Sequence, residues 1–427
     1  MQLLLQAAQV YRTKTKRFEP CDLLIQDGLI QEIGSHNAFD PFHGPSLRLD
    51  HFFVAPTFTD IHVHLREPGF SYKGTIASET RSALAGGFAH VLSMPNLKPV
   101  PDSIDHLKVQ LDLIEQNAAC DVTPYAAITE GQEGKTLVDM KALAPYVAGF
   151  SDDGRGVQDE EIMRRAFLLA KETGKPIVSH CEVEALLNGG VIHDGAYAKA
   201  HALPGICSES EWKMVERDIA LVRETGCPYH VCHVSTMETV DLVRLAKQEG
   251  LPVTCEVAPH YLYFTDLDLQ DYGRFKMNPP IRSKEDQIAL IEGLVDGTID
   301  CIATDHAPHS AEEKSRGLLG SSNGVVGFET AFAASYTALV KAGHMDLAQL
   351  IDRMAIAPGL FAKGKAPEIA PGEPANLVVL DPEAVGKVDA SQFVSAGKAT
   401  PFDGEMLQGQ VLYTIYKGEI VWEKERI

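Results

Sequence analysis

From about residue 56 to about 365 the chain repeats one pattern: a short apolar run, a polar break, then an amphipathic stretch. The apolar runs fall at 58–64, 90–94, 122–128, 147–151, 177–180, 229–233, 253–257 and 299–304. Each has the length and bounding of a buried strand. Helical periodicity lies between them at 103–117, 159–173, 208–225, 236–248 and 284–296, with Ile162, Ala166, Leu169 and Ala170 sharing one face of the second. Three of these stretches stop at a Gly with Pro just beyond, as in Thr173-Gly174-Lys175-Pro176, Thr225-Gly226-Cys227-Pro228 and Glu249-Gly250-Leu251-Pro252. Gly ends a helix in the left-handed conformation and Pro prevents its resumption. Eight strand–helix units in series predict an α/β fold, a parallel (β/α)8 TIM-type barrel. An open doubly wound sheet is the rival, but no Gly-x-Gly-x-x-Gly follows the first strand.

The two ends of the chain differ from this middle. Cys21 to Ile30 reads as strand, Asp27-Gly28 turn and return strand. Ala375 to Asp381 and Tyr413 to Val421, the latter with a turn at Lys417-Gly418-Glu419, repeat that character. Residues 1–55 and 366–427 are therefore expected to form one small β-sandwich domain beside a catalytic barrel at 56–365. A net charge of −21, from 59 acidic and 38 basic residues, argues against nucleic acid as partner. Eight cysteines lack paired spacing, and the apolar start Met1 to Leu5 is too short for export, with Arg12 to Arg17 on its wrong side. No uncharged run reaches membrane-spanning length. The expectation is a cytoplasmic protein with reduced thiols.

In such barrels the active site lies where the strands end. The first ends in Asp60-Ile61-His62-Val63-His64, so both imidazoles leave the same face, as a divalent metal such as zinc requires. Arg66 follows on that face, placed to grip a carboxylate through two parallel hydrogen bonds. Later ends carry Met94-Pro95-Asn96, Ser151-Asp152-Asp153-Gly154, His180-Cys181-Glu182, Cys232-His233 and Thr304-Asp305-His306-Ala307-Pro308-His309. A single strand-ending His is most often a rim residue. His62, His64, His180, His233, Asp305 and one of Asp152 or Asp153, converging on one barrel face, make a two-metal ligand set. Cys181 should point away from its neighbour His180. His260 is read as a support for ligands, and His193, His201 and His344 as solvated.

These stretches, with Lys276-Met277-Asn278-Pro279-Pro280, resemble the dihydroorotases, and within the amidohydrolase superfamily their larger bacterial class. Relatives with the same barrel, such as hydantoinases, bridge their metals with a carboxylated lysine. This chain has Asp152-Asp153 at that point, which resembles the class using an aspartate, and distance to His180 maps the bridge to Asp153. The resemblance implies two Zn2+ ions, one on His62, His64, Asp153 and Asp305, the other on Asp153, His180 and His233. It implies substrate contacts from His64, Arg66, Asn96, Asn278, His309, Asn323 and Gly324, and Asp305 as catalytic acid and base. The departures are Ser321-Ser322 before Asn323-Gly324, and Asn376 for an acidic residue in the C-terminal sheet.

The implied reaction is the reversible cyclisation of N-carbamoyl-L-aspartate to L-dihydroorotate in pyrimidine biosynthesis. A hydroxide generated at the metals attacks the ring amide, and Asp305 moves the proton. The implied assembly is a homodimer that associates with aspartate transcarbamoylase. Three rivals stand beside it: a hydantoinase-type cyclic amidase, a non-catalytic scaffold subunit lacking metal ligands, and a metal hydrolase of another substrate.

Overall fold

The computed structural model describes residues 2–424. The first stave, Phe58–Val63, pairs in parallel with Phe88–Ser93, and that with Asp121–Pro124. A second run joins Ile177–Ser179, Tyr229–Val231, Val253–Val257 and Cys301–Ile302, again in parallel. Phe150 links the two runs, bridging Ala126 on one side and Ile177 on the other, and a Val63–His306 bridge closes the circle. The order around the ring is the order in the chain, as a (β/α)8 barrel requires. The fourth stave differs from its expectation. Residues 147–151 form no regular strand, and pairing there rests on Phe150 and flanking bonds such as Ser151 N–H to Ala126 O (2.8 Å).

Local chemistry accounts for the outer helices. Ile104–Asn117, Glu160–Thr173, Met237–Gln248 and Lys284–Asp296 start after Ser103, Asp159, Thr236 and Ser283, whose side chains accept amides of the first turn. Gly174, Gly226 and Gly250 all take positive φ at the helix ends, the conformation L side chains resist. The helix Ile76–Ala85 went unread because its buried face is partly Glu79, Thr80 and Ser82, so its apolar stripe is faint.

Both chain ends meet in one mixed eight-stranded sheet, with Leu377–Lys387 pairing Phe53–Pro56 where the ends join. That sheet has its own apolar cluster, including Leu5, Val10, Leu23, Ile25, Leu377, Val379 and Ile415, separate from the barrel's. Residues 1 and 425–427 of the expected spans lie outside the described residues. No helix among the described residues is long and apolar enough to cross a membrane.

Candidate active site

The side chains that end the staves converge on a cavity of about 120 Å³, lined in part by His64, Arg66, Asn96, Asp153, His180, His233, Asn278, Asp305, Asn323 and Gly324. Asp153 lies among four of the histidines. One carboxylate oxygen lies 3.4 Å from His62 Nε2, 3.7 Å from His180 Nδ1 and 3.8 Å from His233 Nε2, the other 3.6 Å from His64 Nε2. Asp305 Oδ1 is 3.0 Å from His64 Nε2 and 3.6 Å from His62 Nε2. Asp152 points elsewhere: its carboxylate accepts the Ile128 and Thr129 amides (2.8 and 3.1 Å) and the Thr129 hydroxyl. Adjacent residues leaving a strand end on opposite sides explain the division.

The donor set is arranged for cations. His62, His64 and Asp153 form one group whose ligand atoms lie within 4.8 Å of one another, and Asp153, His180 and His233 form a second. Asp153 belongs to both. His62 Nε2 and Asp153 Oδ1 are buried without a hydrogen-bond partner, a costly state for polar atoms that a bound cation would relieve. His180 Nδ1 and His233 Nε2 face each other at 2.9 Å. Imidazole nitrogens with carboxylate oxygens are the donors zinc and neighbouring transition metals take.

Outer partners set which nitrogen is offered. Glu256 Oε1 accepts from His62 Nδ1 (2.6 Å) and from the His233 amide (3.2 Å), while Oε2 meets His230 Nε2 at 3.1 Å. Asn96 Oδ1 accepts from His64 Nδ1 (2.9 Å). The bonds at His62 Nδ1 and His64 Nδ1 leave the Nε2 lone pair of each ring facing the site. Burial pushes Asp153 up, but His62, His233 and His64 outweigh it and hold it well below the usual carboxylate range. Burial likewise raises Asp305, and His64, His62 and His233 bring it to about 2. Glu256 and Asp60 escaped the sequence reading. Asp60 accepts the Thr304 amide and hydroxyl (3.2 and 2.6 Å), tying the first stave to the eighth. The signal was present: each is an acidic residue inside an apolar strand run, where an unpaired charge is untenable.

Arg66, His233 and Asp305 all have positive φ (+68°, +32° and +49°). Left-handed backbone costs a non-glycine residue roughly 1–2 kcal/mol, and such strain gathers at functional sites. Arg66 Nε donates to Pro308 O (2.9 Å), and its Nη2 lies 3.2 Å from His309 Nε2, so the guanidinium is held from two sides at the cavity wall. Burial lowers its guanidinium to about 10, against Asp305 and Asp153, so it stays cationic at neutral pH. His309 lies behind it, off the cavity lining. Burial and then Arg66 and Lys73 drop the ring to about 3, so it is neutral, with Nε2 donating to Asn323 O (2.6 Å) and Nδ1 accepting from Lys73 (3.3 Å). Gly324 must be glycine: φ is +120°, and a Cβ would lie 2.8 Å from Ala307 Cβ.

Three histidines outside the ligand set sit as follows. Burial lowers His260 to about 4, with Asp305 and His233 close enough to act on it, and its Nε2 has no partner. His193, read as solvated, is buried in the short strand Ile192–His193, with Nδ1 3.4 Å from Arg282. His201 is exposed and stacks on Tyr197. Cys181 turns away from the cavity, its Sγ 3.1 Å from Tyr229 Oη.

Comparison with known proteins bears on this geometry. A family described as "Dihydro-orotase-like" matches residues 52–239. A dihydroorotase of Anoxybacillus flavithermus is 47% identical over 407 residues, covering 95% of each chain. The chain belongs to the dihydroorotase family. A Fusobacterium nucleatum dihydroorotase is 43% identical over 416 residues, 97% of each chain. Among solved structures, the L-hydantoinase of Arthrobacter aurescens superimposes with a TM-score of 0.86 at 26% identity, covering all of this chain and 97% of its own. The dihydroorotase-family barrel thus shares its architecture with hydantoinases.

Proposed function

We propose that the protein is a dihydroorotase, a cyclic amide hydrolase that interconverts N-carbamoyl-L-aspartate and L-dihydroorotate in pyrimidine biosynthesis, using two zinc ions. The observation that carries the substrate is Arg66, a buried guanidinium on the cavity wall beside the carboxylate-rich metal cluster. A neutral cyclic amide has no use for that charge; a ring with an exocyclic carboxylate does. Identity of 43–47% along nearly the whole length to proteins named dihydroorotase supports the same reading.

His62, His64, Asp153 and Asp305 would hold one cation, and Asp153, His180 and His233 the other, with Asp153 as the bridge. When bound, these ions supply a hydroxide nucleophile at neutral pH and polarise the amide carbonyl. Asp305 keeps one oxygen against His64 and lines the cavity, so it takes the proton released on attack and returns it to the leaving ring nitrogen. In the biosynthetic direction the same carboxylate takes a proton from the ureido nitrogen as that nitrogen bonds to the side-chain carboxyl carbon. It gives the proton to the oxygen that leaves this carbon, so that water is released as the ring closes. Arg66 and Asn96 hold the substrate carboxylate, with His309 behind them bracing the Asn323-Gly324 backbone. Asn278 Nδ2 donates to Glu182 Oε1 (2.8 Å), which leaves its unpartnered Oδ1 to accept a ring N–H.

The scaffold reading is disfavoured because every metal-ligand position is filled by a donor. We further propose that 1–55 with 366–427 is a unit distinct from the barrel at 56–365, that the enzyme is a cytoplasmic homodimer, and that it associates with aspartate transcarbamoylase. The deciding experiment is turnover of carbamoyl-aspartate and dihydroorotate against hydantoin and allantoin. Activity confined to the first pair is expected; preference for hydantoin would replace the reading with a hydantoinase one.

A further inference from the structure

The cavity is closed on one side by two separate pieces of chain. One runs through Lys276 to Asn278, the other through Ser322 to Gly324; Asn278, Asn323 and Gly324 all line the cavity. Between these pieces lies Lys314, at the end of the single helical turn Ala311–Lys314, and only 9% exposed. Its amine donates to three backbone carbonyls: Lys276 O at 2.9 Å, Ser322 O at 2.7 Å and Gly324 O at 2.6 Å. An ammonium has three N–H groups and no acceptor, so three converging carbonyls satisfy it completely. A buried cation is tolerated only when it is met in this way. Lys314 does not line the cavity and all its donors are engaged, so it is neither nucleophile nor proton carrier.

We propose that Lys314 is a positioning residue: by joining the Lys276, Ser322 and Gly324 carbonyls it holds the Asn278 and Asn323-Gly324 walls in their ligand-binding arrangement. The second wall otherwise has few ties to the first. Gly324 N–H reaches Lys276 O at 3.1 Å, and Lys276 Nζ reaches Leu319 O at 3.3 Å. The neighbouring Glu313 anchors the near end of the same loop, through Lys73 at 2.9 Å and the Ser310 cap. Lys314 therefore controls the far end, where the ligand contacts are. Loss of the clamp lowers the fraction of molecules with both walls in place, and apparent affinity falls by that fraction. His62, His64, Asp153, His180 and His233 come from other staves, and Asp305 ends the eighth stave ahead of the loop, so metal content should be unaffected.

The inference rests on the dihydroorotase reading for its substrate, and the test keeps the two apart. Lys314→Met and Lys314→Gln are compared with wild type for metal content, for kcat and KM with dihydroorotate, and for amide hydrogen exchange across 316–324. Roughly a tenfold or larger rise in KM is expected, with metal content unchanged, kcat within about threefold, and faster exchange confined to that loop. A folded, metal-loaded variant with KM within twofold of wild type overturns the proposal. So does loss of metal or of the fold in both variants, which would make Lys314 part of the framework. If wild type is inert on dihydroorotate but hydrolyses another cyclic amide, the substrate reading fails. The same KM comparison on that amide then still decides the role of Lys314.

Discussion

Removing the Arg66 side chain should separate carboxylate recognition from everything else the pocket does. Arg66 is 7% exposed and lines the cavity, with its Nε held by Pro308 O at 2.9 Å and its Nη2 3.2 Å from His309 Nε2. Each charge-assisted hydrogen bond contributes roughly 1.5–3 kcal/mol, so a two-bond fork supplies about 3–6 kcal/mol. Water entering the vacated space offsets part of this, which places the net loss near the lower end. At about 1.4 kcal/mol per decade, that is roughly a hundredfold fall in kcat/KM for dihydroorotate in Arg66→Ala. Arg66→Lys keeps the charge but not the planar fork and should recover only part of the loss. Dihydrouracil, which lacks the carboxylate, serves as control because its poor turnover should not worsen in either variant. The assay is kcat/KM for both substrates on wild type, Arg66→Ala and Arg66→Lys. Equal losses on the two substrates would mean that Arg66 supports the loop through Pro308 or supports the metals, and the carboxylate clamp would be wrong.

Asp153→Ala should lose bound metal and turnover together, whereas Asp152→Ala should keep metal and lose stability through the Ile128 and Thr129 amides; elemental analysis with thermal melting distinguishes them, and the reverse pattern would shift the bridge by one residue. Asp305→Asn keeps a ligand oxygen without a proton acceptor, so metal should largely remain while kcat falls by about 10² or more, and a kcat near wild type would remove Asp305 from proton transfer. The loop anchored by Glu313 should be acid-sensitive in a defined window. Burial raises the Glu313 carboxyl, but Lys73, the Ser310 amide and His309 bring it to about 2. A lowered carboxylate stabilises fully above its unfolded value near 4.3 and loses that contribution as pH falls toward about 2. Hydrogen exchange at 310–315 should accelerate over that interval in wild type and be already fast at neutral pH in Glu313→Gln; a flat profile in wild type would contradict the anchor.

Much of the barrel was legible because its signals are local. Apolar periodicity marks the helices, and Gly174, Gly226 and Gly250 announce their ends, whatever the rest of the chain does. Residues 147–151 read as a full strand since apolar content says nothing of how many hydrogen bonds a neighbour will supply, and there only Phe150 forms bridges. The ligand histidines stood out by position at strand ends. Glu256, Asp60 and Lys314 did not, because their meaning lies in distant partners, such as His62, 194 residues from Glu256, and Thr304, 244 from Asp60, or in carbonyls that leave no trace in sequence. His193 misled for the same reason: a polar residue in a loop-like context is buried once Arg282 and Ile206 pack beside it.

The aspartate-bridged pair of zinc ions is tested most directly by reconstitution. Protein stripped with a chelator is titrated with zinc in buffer freed of bicarbonate, and dihydroorotate turnover is followed against metal bound per chain. Activity should return fully as two zinc ions bind, and added bicarbonate should change nothing, since Asp153 lies in both ligand groups and needs no carboxylation. Full activity at one equivalent, or recovery only when bicarbonate is supplied, would contradict an Asp153-bridged two-metal site.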